Sequence, residues 1–328
     1  MKVLQVPYNL EQDCLSMYAN WAEYIQDIYF AASPEVFPTA RVWTYKSDYF
    51  KNQIRLLAFC KEKNIRSALL LNGADFQLKN TQLNRLQEYL HILEDNGLDV
   101  VVVANPILCQ WIRKYFPKLT IRLSILSLEY TVPKIINFYE TGLMDEICLP
   151  GEFNRDEDAL KELKTFCPNL KLSTIVNSIC RQSCPLYFWH QALHNSNRTI
   201  DDDEQISEIL NCSSEIMPKM TNSFKQIAFI LPEEFDYYDQ YFDGYKMEGR
   251  TWSTVTLEQR LQYMALRINP TYFRNYLTMA WCCNAPEDAK IDDLDKNWLK
   301  YRRNCKNMCW RCKYEIYCKK NGVYRKSN

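Results

Sequence analysis

Fourteen cysteines stand in a chain of 328 residues, and two groups of them have the spacing of metal ligands. The tail carries Cys305, Cys309, Cys312 and Cys318 in the pattern C-x3-C-x2-C-x5-C. Four thiolates this close can fill a tetrahedral zinc site or hold one iron-sulfur cubane. The middle of the chain carries Cys180 and Cys184 ahead of Pro185, with His190 and His194 following at helical spacing and Cys212 further on. Two thiolates four residues apart can serve one metal centre, and Cys212 is the natural third ligand. Soft thiolates select zinc or iron-sulfur over hard cations, and spacing leaves those two open. The competing reading makes Cys180 and Cys184 small buried residues and the two histidines packing groups.

A third constellation is Lys246-Met-Glu248-Gly-Arg250. On a strand, alternation sends Lys246 and Glu248 to one face and Met247 to the other. A buried Lys/Glu pair is costly unless well satisfied, so these residues read either as a binding feature or as a plain structural ion pair. The Arg250 fork suits a carboxylate, and Glu248 or His190 could act as a base beside a metal.

Composition narrows the classes. Forty basic residues balance forty acidic ones, so the global positive field of a general nucleic-acid binder is absent. Only seven glycines occur, and none stands in a phosphate-cradling loop, which excludes Rossmann and Walker sites. Neither an H-E-x-x-H helix nor a G-x-S-x-G elbow is present. The opening MKVLQVPYNL has no apolar stretch of signal length, and the run at 100–104 is too short to cross a bilayer. The expectation is a cytoplasmic protein whose cysteines are thiols or metal ligands rather than disulfides.

The elements that must position these residues alternate. Apolar runs at 3–6, 28–31, 68–71, 100–104, 121–125, 146–149, 172–176 and 245–248 read as strands, with a ninth candidate at 227–231. Helical periodicity fills stretches such as 49–63, 81–96 and 156–166, closed by Asn96-Gly97 and opened by Asn154, Asp156 and Glu157. Eight βα units predict an α/β protein with a (β/α)8 TIM-type barrel over 1–280, an open doubly wound sheet being the alternative. Residues 281–328 read as a small C-terminal cysteine-rich metal-binding extension. In a barrel the residues just past each strand form the active face: Asn72, Asn105, Ser127, Asn177, Glu248 and Arg250.

The KMEGR strand after a helix opening with proline and acidic residues, the C-x3-C-P motif and the order of elements together resemble peptidase family U32, in its short single-barrel form. The resemblance runs from residue 1 to about 280 and implies two kinds of activity. Founding members are collagenase-like peptidases; relatives in oxygen-independent hydroxylation of ubiquinone precursors or RNA hold a four-iron four-sulfur cluster on four cysteines. Carried over, Cys180 and Cys184 match one cysteine pair and Cys212 a later one, while no fourth ligand is evident. The expectation is an iron-sulfur (4Fe-4S) enzyme with one or two clusters, zinc being the alternative at the tail, acting on a small-molecule or peptide substrate. A metal-dependent peptidase and a noncatalytic peptide-binding barrel are the rivals. No membrane contact is expected, a partner protein would fit the third reading, and the basic, aromatic stretch from Trp310 to Lys326 could stack on nucleic acid.

Overall fold

Short runs of branched residues make eight strands, and all eight pair in parallel in sequence order until β8 meets β1. They are β1 (Leu4–Pro7), β2 (Ile25–Ala31), β3 (Arg66–Leu71), β4 (Val100–Val103), β5 (Thr120–Leu123), β6 (Glu146–Leu149), β7 (Lys171–Ile175) and β8 (Gly244–Lys246). The computed structural model describes residues 2–11, 13–39, 48–73, 79–127, 131–178, 180, 184, 187, 227–277, 290–308 and 312. The protein is therefore a closed (β/α)8 barrel.

Around it lie α1 (Cys14–Asn20), α2 (Tyr49–Lys63), α3 (Asn80–Asp95), α4 (Pro106–Tyr115), α5 (Val132–Glu140), α6 (Glu157–Phe166), α7 (Phe235–Tyr238), α8 (Thr254–Leu266) and α9 (Lys296–Arg302). Helix ends follow local chemistry. Asn105 accepts from Ile107 N ahead of Pro106, and Asp156 accepts from Ala159 N at the head of α6. Asn154, expected to share that cap, instead accepts from the Thr174 hydroxyl on β7. After α3, Gly97 takes a positive φ that lets Leu98 N return to Leu93 O.

The two faces of the sheet bury different sets. Ile28, Phe30, Leu69, Leu71, Val101 and Val103 join the large core between strands and helices. The alternating residues Tyr29, Ala68, Leu70, Val100 and Val102 form a separate apolar group inside the barrel. The strand edges differ from the sequence expectation where charge interrupts an apolar run. β2 starts at Ile25 rather than 28, and β3 at Arg66 rather than 68, because Asp27 and Arg66 point into the barrel and find partners there. The run at 227–231 is no ninth strand. It lies along the chain leaving β7, with Ile230 N on Val176 O and Ala228 N on Cys180 O.

The N-terminal end of the barrel is closed by ions. Arg122 reaches Asp27 and Glu146, each at 2.6 Å, and Arg66 joins them at 3.1 and 2.6 Å. Burial alone would raise the Glu146 carboxyl, but Arg122 and Arg66 override it and hold the group down at about 2. This plug lies away from the strand C-termini, where barrel chemistry resides.

The segment after the barrel packs on that scaffold. Trp298 and Leu299 of α9 join the main core, and Arg302 makes a buried ion pair with Glu234 while its guanidinium lies over Phe229 at 4.4 Å and Trp298 at 5.0 Å. Among the described residues no helix is long and apolar enough to cross a membrane.

Candidate active site

Everything past β7 and β8 converges on one buried amide. Asn177 is fully buried two residues beyond β7, its Oδ1 accepts from Glu248 N at 2.8 Å, and its Nδ2 donates to Glu248 O at 3.2 Å. The side chain thus extends the β7–β8 ladder past the end of its strands. Ser178 follows, and its hydroxyl accepts from Cys180 N at 3.2 Å. Cys180 returns its carbonyl to Ala228 N. Both Cys180 and Cys184 are half-buried. Thiol, Glu248 and the strand-end amide therefore share the C-terminal face, where barrel chemistry resides.

Glu248 is half-buried just past β8 and Arg250 is buried. Arg250 stands within electrostatic reach of Tyr49 at the head of α2, whose hydroxyl donates to Ala31 O at the end of β2. Met247 points outward into the core, as alternation requires. Lys246 points inward with its ammonium 4.6 Å from the Tyr29 ring centroid. It makes no ion pair with Glu248, so the Lys/Glu bridge that alternation suggested does not form.

One turn touches both the partner of Cys180 and the residues that follow Cys305. After β6 the chain makes a 3-10 turn, Gly151–Arg155. On one side, Gly151 lies so close to Ala228 that an added Cβ would sit 2.1 Å from the Ala228 Cβ. On the other, Arg155 O accepts from Lys306 N and Glu152 O accepts from Asn307 Nδ2 at 3.1 Å. Lys306 also reaches Asp158 at 2.7 Å. Lys306 and Asn307 are thus laid on the β6–α6 connection, whose Gly151 meets Ala228. Burial lifts the Tyr301 hydroxyl, and Cys312 and Cys305 add to that lift, so these two of the four tail thiols stand within electrostatic reach of one ring.

Four of the expected site residues, His190, Cys212, Cys309 and Cys318, lie outside the described residues, as do His194, Cys282 and Cys283. Among the described residues no three metal-ligating side chains gather at one point. Cys14, Cys60, Cys109, Cys148 and Cys167 are all buried, as expected of small apolar residues. Cys148 differs from the rest because it faces the barrel interior, within electrostatic reach of Lys246. Sequence reading missed that placement, although Glu146 and Cys148 alternate on β6 as Lys246 and Glu248 do at β8.

Residues 28–181 match the model of peptidase family U32. The match takes in a little under half of the chain, so the likeness to that family is carried by the barrel from β2 to β7. The matched stretch runs from β2 to the residue after Cys180, so the family's signal here covers six strands and the first thiol, while β8 and its KMEGR lie beyond it. A solved U32 peptidase, Mk0906, superposes with a TM-score of 0.52 at 17% identity, over 75% of this chain and 93% of that one. The spore cortex-lytic enzyme SleL of Bacillus cereus superposes with a TM-score of 0.41 at 7% identity, over 81% of this chain and 74% of that one. No curated protein matches the sequence.

Proposed function

We propose that this U32-like protein is an iron-sulfur enzyme that modifies an organic, RNA or peptide substrate at the C-terminal mouth of its barrel. The observation that carries the reading is the junction at Asn177, which ties Glu248 to the segment leading into Cys180. The donor chemistry fits such a centre. Cys180 and Cys184 offer soft, half-buried sulfurs. Cys212 would be the third ligand. A cluster bound there would supply electron transfer or bind a substrate atom at an open iron.

The chain's own groups would do the rest. Arg250 would orient a substrate carboxylate through its fork, and Glu248 would accept or return a proton beside the centre, with His190 as the alternative base. The tail thiols Cys305, Cys309, Cys312 and Cys318 would hold a second cluster or a zinc ion, anchored by α9 and the Gly151–Arg155 turn. A localisation in the cytoplasm suits a thiolate-rich chain.

The test is anaerobic purification with iron, sulfide and zinc quantification, repeated on Cys180→Ala/Cys184→Ala and on a chain ending before Cys305. Loss of iron and sulfide with the first change, and of a separate metal with the second, is the expected result. Absence of iron and sulfide from the anaerobic full-length protein sinks the proposal. A peptidase reading rests on the family name alone and has no separate observation in its favour.

A further inference from the structure

We propose that Lys246 is a covalent anchor for a carbonyl compound: its amine condenses with an aldehyde or ketone group that enters the barrel from the Glu248 side. Lys246 is 9% exposed and sits inside the barrel, on β8 between Gln5 of β1 and Ile175 of β7. No described carboxylate lies within ion-pair distance of its nitrogen. The interior acids below it are already taken, Asp27 by Arg122 and Arg66, and Glu146 by the same two residues. Another buried cation of the scaffold, Arg302, has Glu234. Among the described residues, the group nearest the Lys246 ammonium for which a contact is seen is the Tyr29 ring.

An unpaired interior charge is costly, and a lysine kept for packing alone would be better replaced by methionine or leucine. Its surroundings favour the free amine. Burial pulls Lys246 below the usual lysine range; Cys148 opposes this, Arg122 adds to it, and Glu248 and Asp27 oppose it more weakly. The groups facing it are therefore Tyr29 and Asp27 from β2, Arg122 from β5, Cys148 from β6 and Glu248 past β8. A desolvated lysine in an apolar pocket is the usual source of an amine nucleophile at neutral pH.

The walls suit the product as well. The Tyr29 hydroxyl is committed to Met247 O at 2.8 Å, so its ring is fixed with a face 4.6 Å from the nitrogen. That face would stabilise an iminium cation as it does the ammonium. Ala68, Leu70, Val100 and Val102 form an apolar wall of the same interior, which limits hydrolysis of the adduct. In the step itself the nitrogen lone pair adds to the carbonyl carbon, giving a carbinolamine after proton transfer. The carbon–oxygen bond then breaks, the oxygen leaves as water with one proton from solvent, and an iminium remains on Lys246. No electrons are exchanged.

The proposal shares the barrel mouth with the proposed function but needs no metal at the thiols. The folded full-length protein is incubated at neutral pH with glyoxylate or formaldehyde and cyanoborohydride, and tagged lysines are mapped by mass spectrometry. Lys246 is expected to tag about tenfold faster than exposed Lys51, Lys61 and Lys118, because desolvation leaves more of its amine unprotonated at neutral pH. Lys246→Met should keep the circular dichroism spectrum and lose only this tag. Cys180→Ala/Cys184→Ala should leave the tag unchanged, which separates this idea from the metal proposal. Slower tagging of Lys246 than of the exposed lysines with both carbonyls, in folded protein, overturns it.

Discussion

Asn177 and Glu248 hold each other twice, side-chain oxygen to backbone amide and side-chain amide to backbone carbonyl, at 2.8 and 3.2 Å. The pair stands where the β7–β8 ladder has ended, so one asparagine side chain does the work of the next ladder residue. It fixes the backbone of the only acidic residue in the KMEGR strand end and begins the segment that leads to Cys180. Position of the acid and course of the thiol-bearing chain are set by the same amide.

Replacing Asn177 with alanine removes both bonds and leaves the Glu248 amide without this acceptor in a buried place. The expected loss is about 1–3 kcal/mol in urea unfolding. Asn177→Asp keeps an acceptor for the Glu248 amide but sets an oxygen against the Glu248 carbonyl, so it should not restore stability. Equal stability of Asn177→Ala and the parent would show that the latch contributes nothing.

Acid should open the bottom of the barrel. The folded Glu146 carboxyl is held at about 2, below its ordinary 4.5, by Arg122 and Arg66. A depressed acid gives stability that is complete above the unfolded value and is lost as pH falls toward the folded one. Unfolding free energy measured between pH 6 and pH 2.5 should fall more steeply in the parent than in Glu146→Gln, which is less stable at pH 6 but has lost this titration. Parallel curves would contradict the assignment.

The strands were legible because a parallel barrel buries both faces, so its strands read as apolar runs; β4, Val-Val-Val-Val, is the clearest. The ionic plug was not legible for the same reason. Asp27 and Arg66 break apolar runs and look like strand boundaries, and Arg122 meets Asp27 across 95 positions of sequence, a distance no local pattern carries. Alternation did place Lys246 inside, but the sequence offered Glu248 as its partner, whereas Tyr29 faces it. The attachment of the tail was hidden too. Trp298 and Arg302 sit in a short helix whose only visible mark is its charge, and Glu234 lies 68 positions earlier.

The Arg302–Glu234 pair is buried on both sides, so the two single changes and the double change should differ in kind. Arg302→Ala leaves Glu234 uncompensated and should cost about 3–5 kcal/mol, whereas Arg302→Met with Glu234→Gln removes both charges and should recover much of it. A double-mutant cycle in denaturant gives the coupling. Additive losses would mean the ion pair does not hold the tail to the barrel. Limited proteolysis should report the same order, with Arg302→Ala cut first near α9.

Gly151 offers a way to reach the thiols without touching them. A methyl group there would meet the Ala228 Cβ at 2.1 Å, far inside contact distance, and Ala228 also bonds Cys180 through its backbone amide. Gly151→Ala must push the 227–231 run away from the β6–α6 turn or shift the turn itself. Either movement disturbs the carbonyl partner of Cys180 while leaving the strands paired. The expected result is a folded protein, by circular dichroism, with less iron and sulfide per chain than the parent after anaerobic purification. Removing the opposing methyl should relieve the clash, so Gly151→Ala/Ala228→Gly is expected to regain the lost metal. If the single variant binds metal like the parent, the approach of these two backbones has no bearing on the centre. If it loses metal and the double variant does not recover it, the effect runs through the turn and its contacts to Lys306 and Asn307 rather than through Ala228.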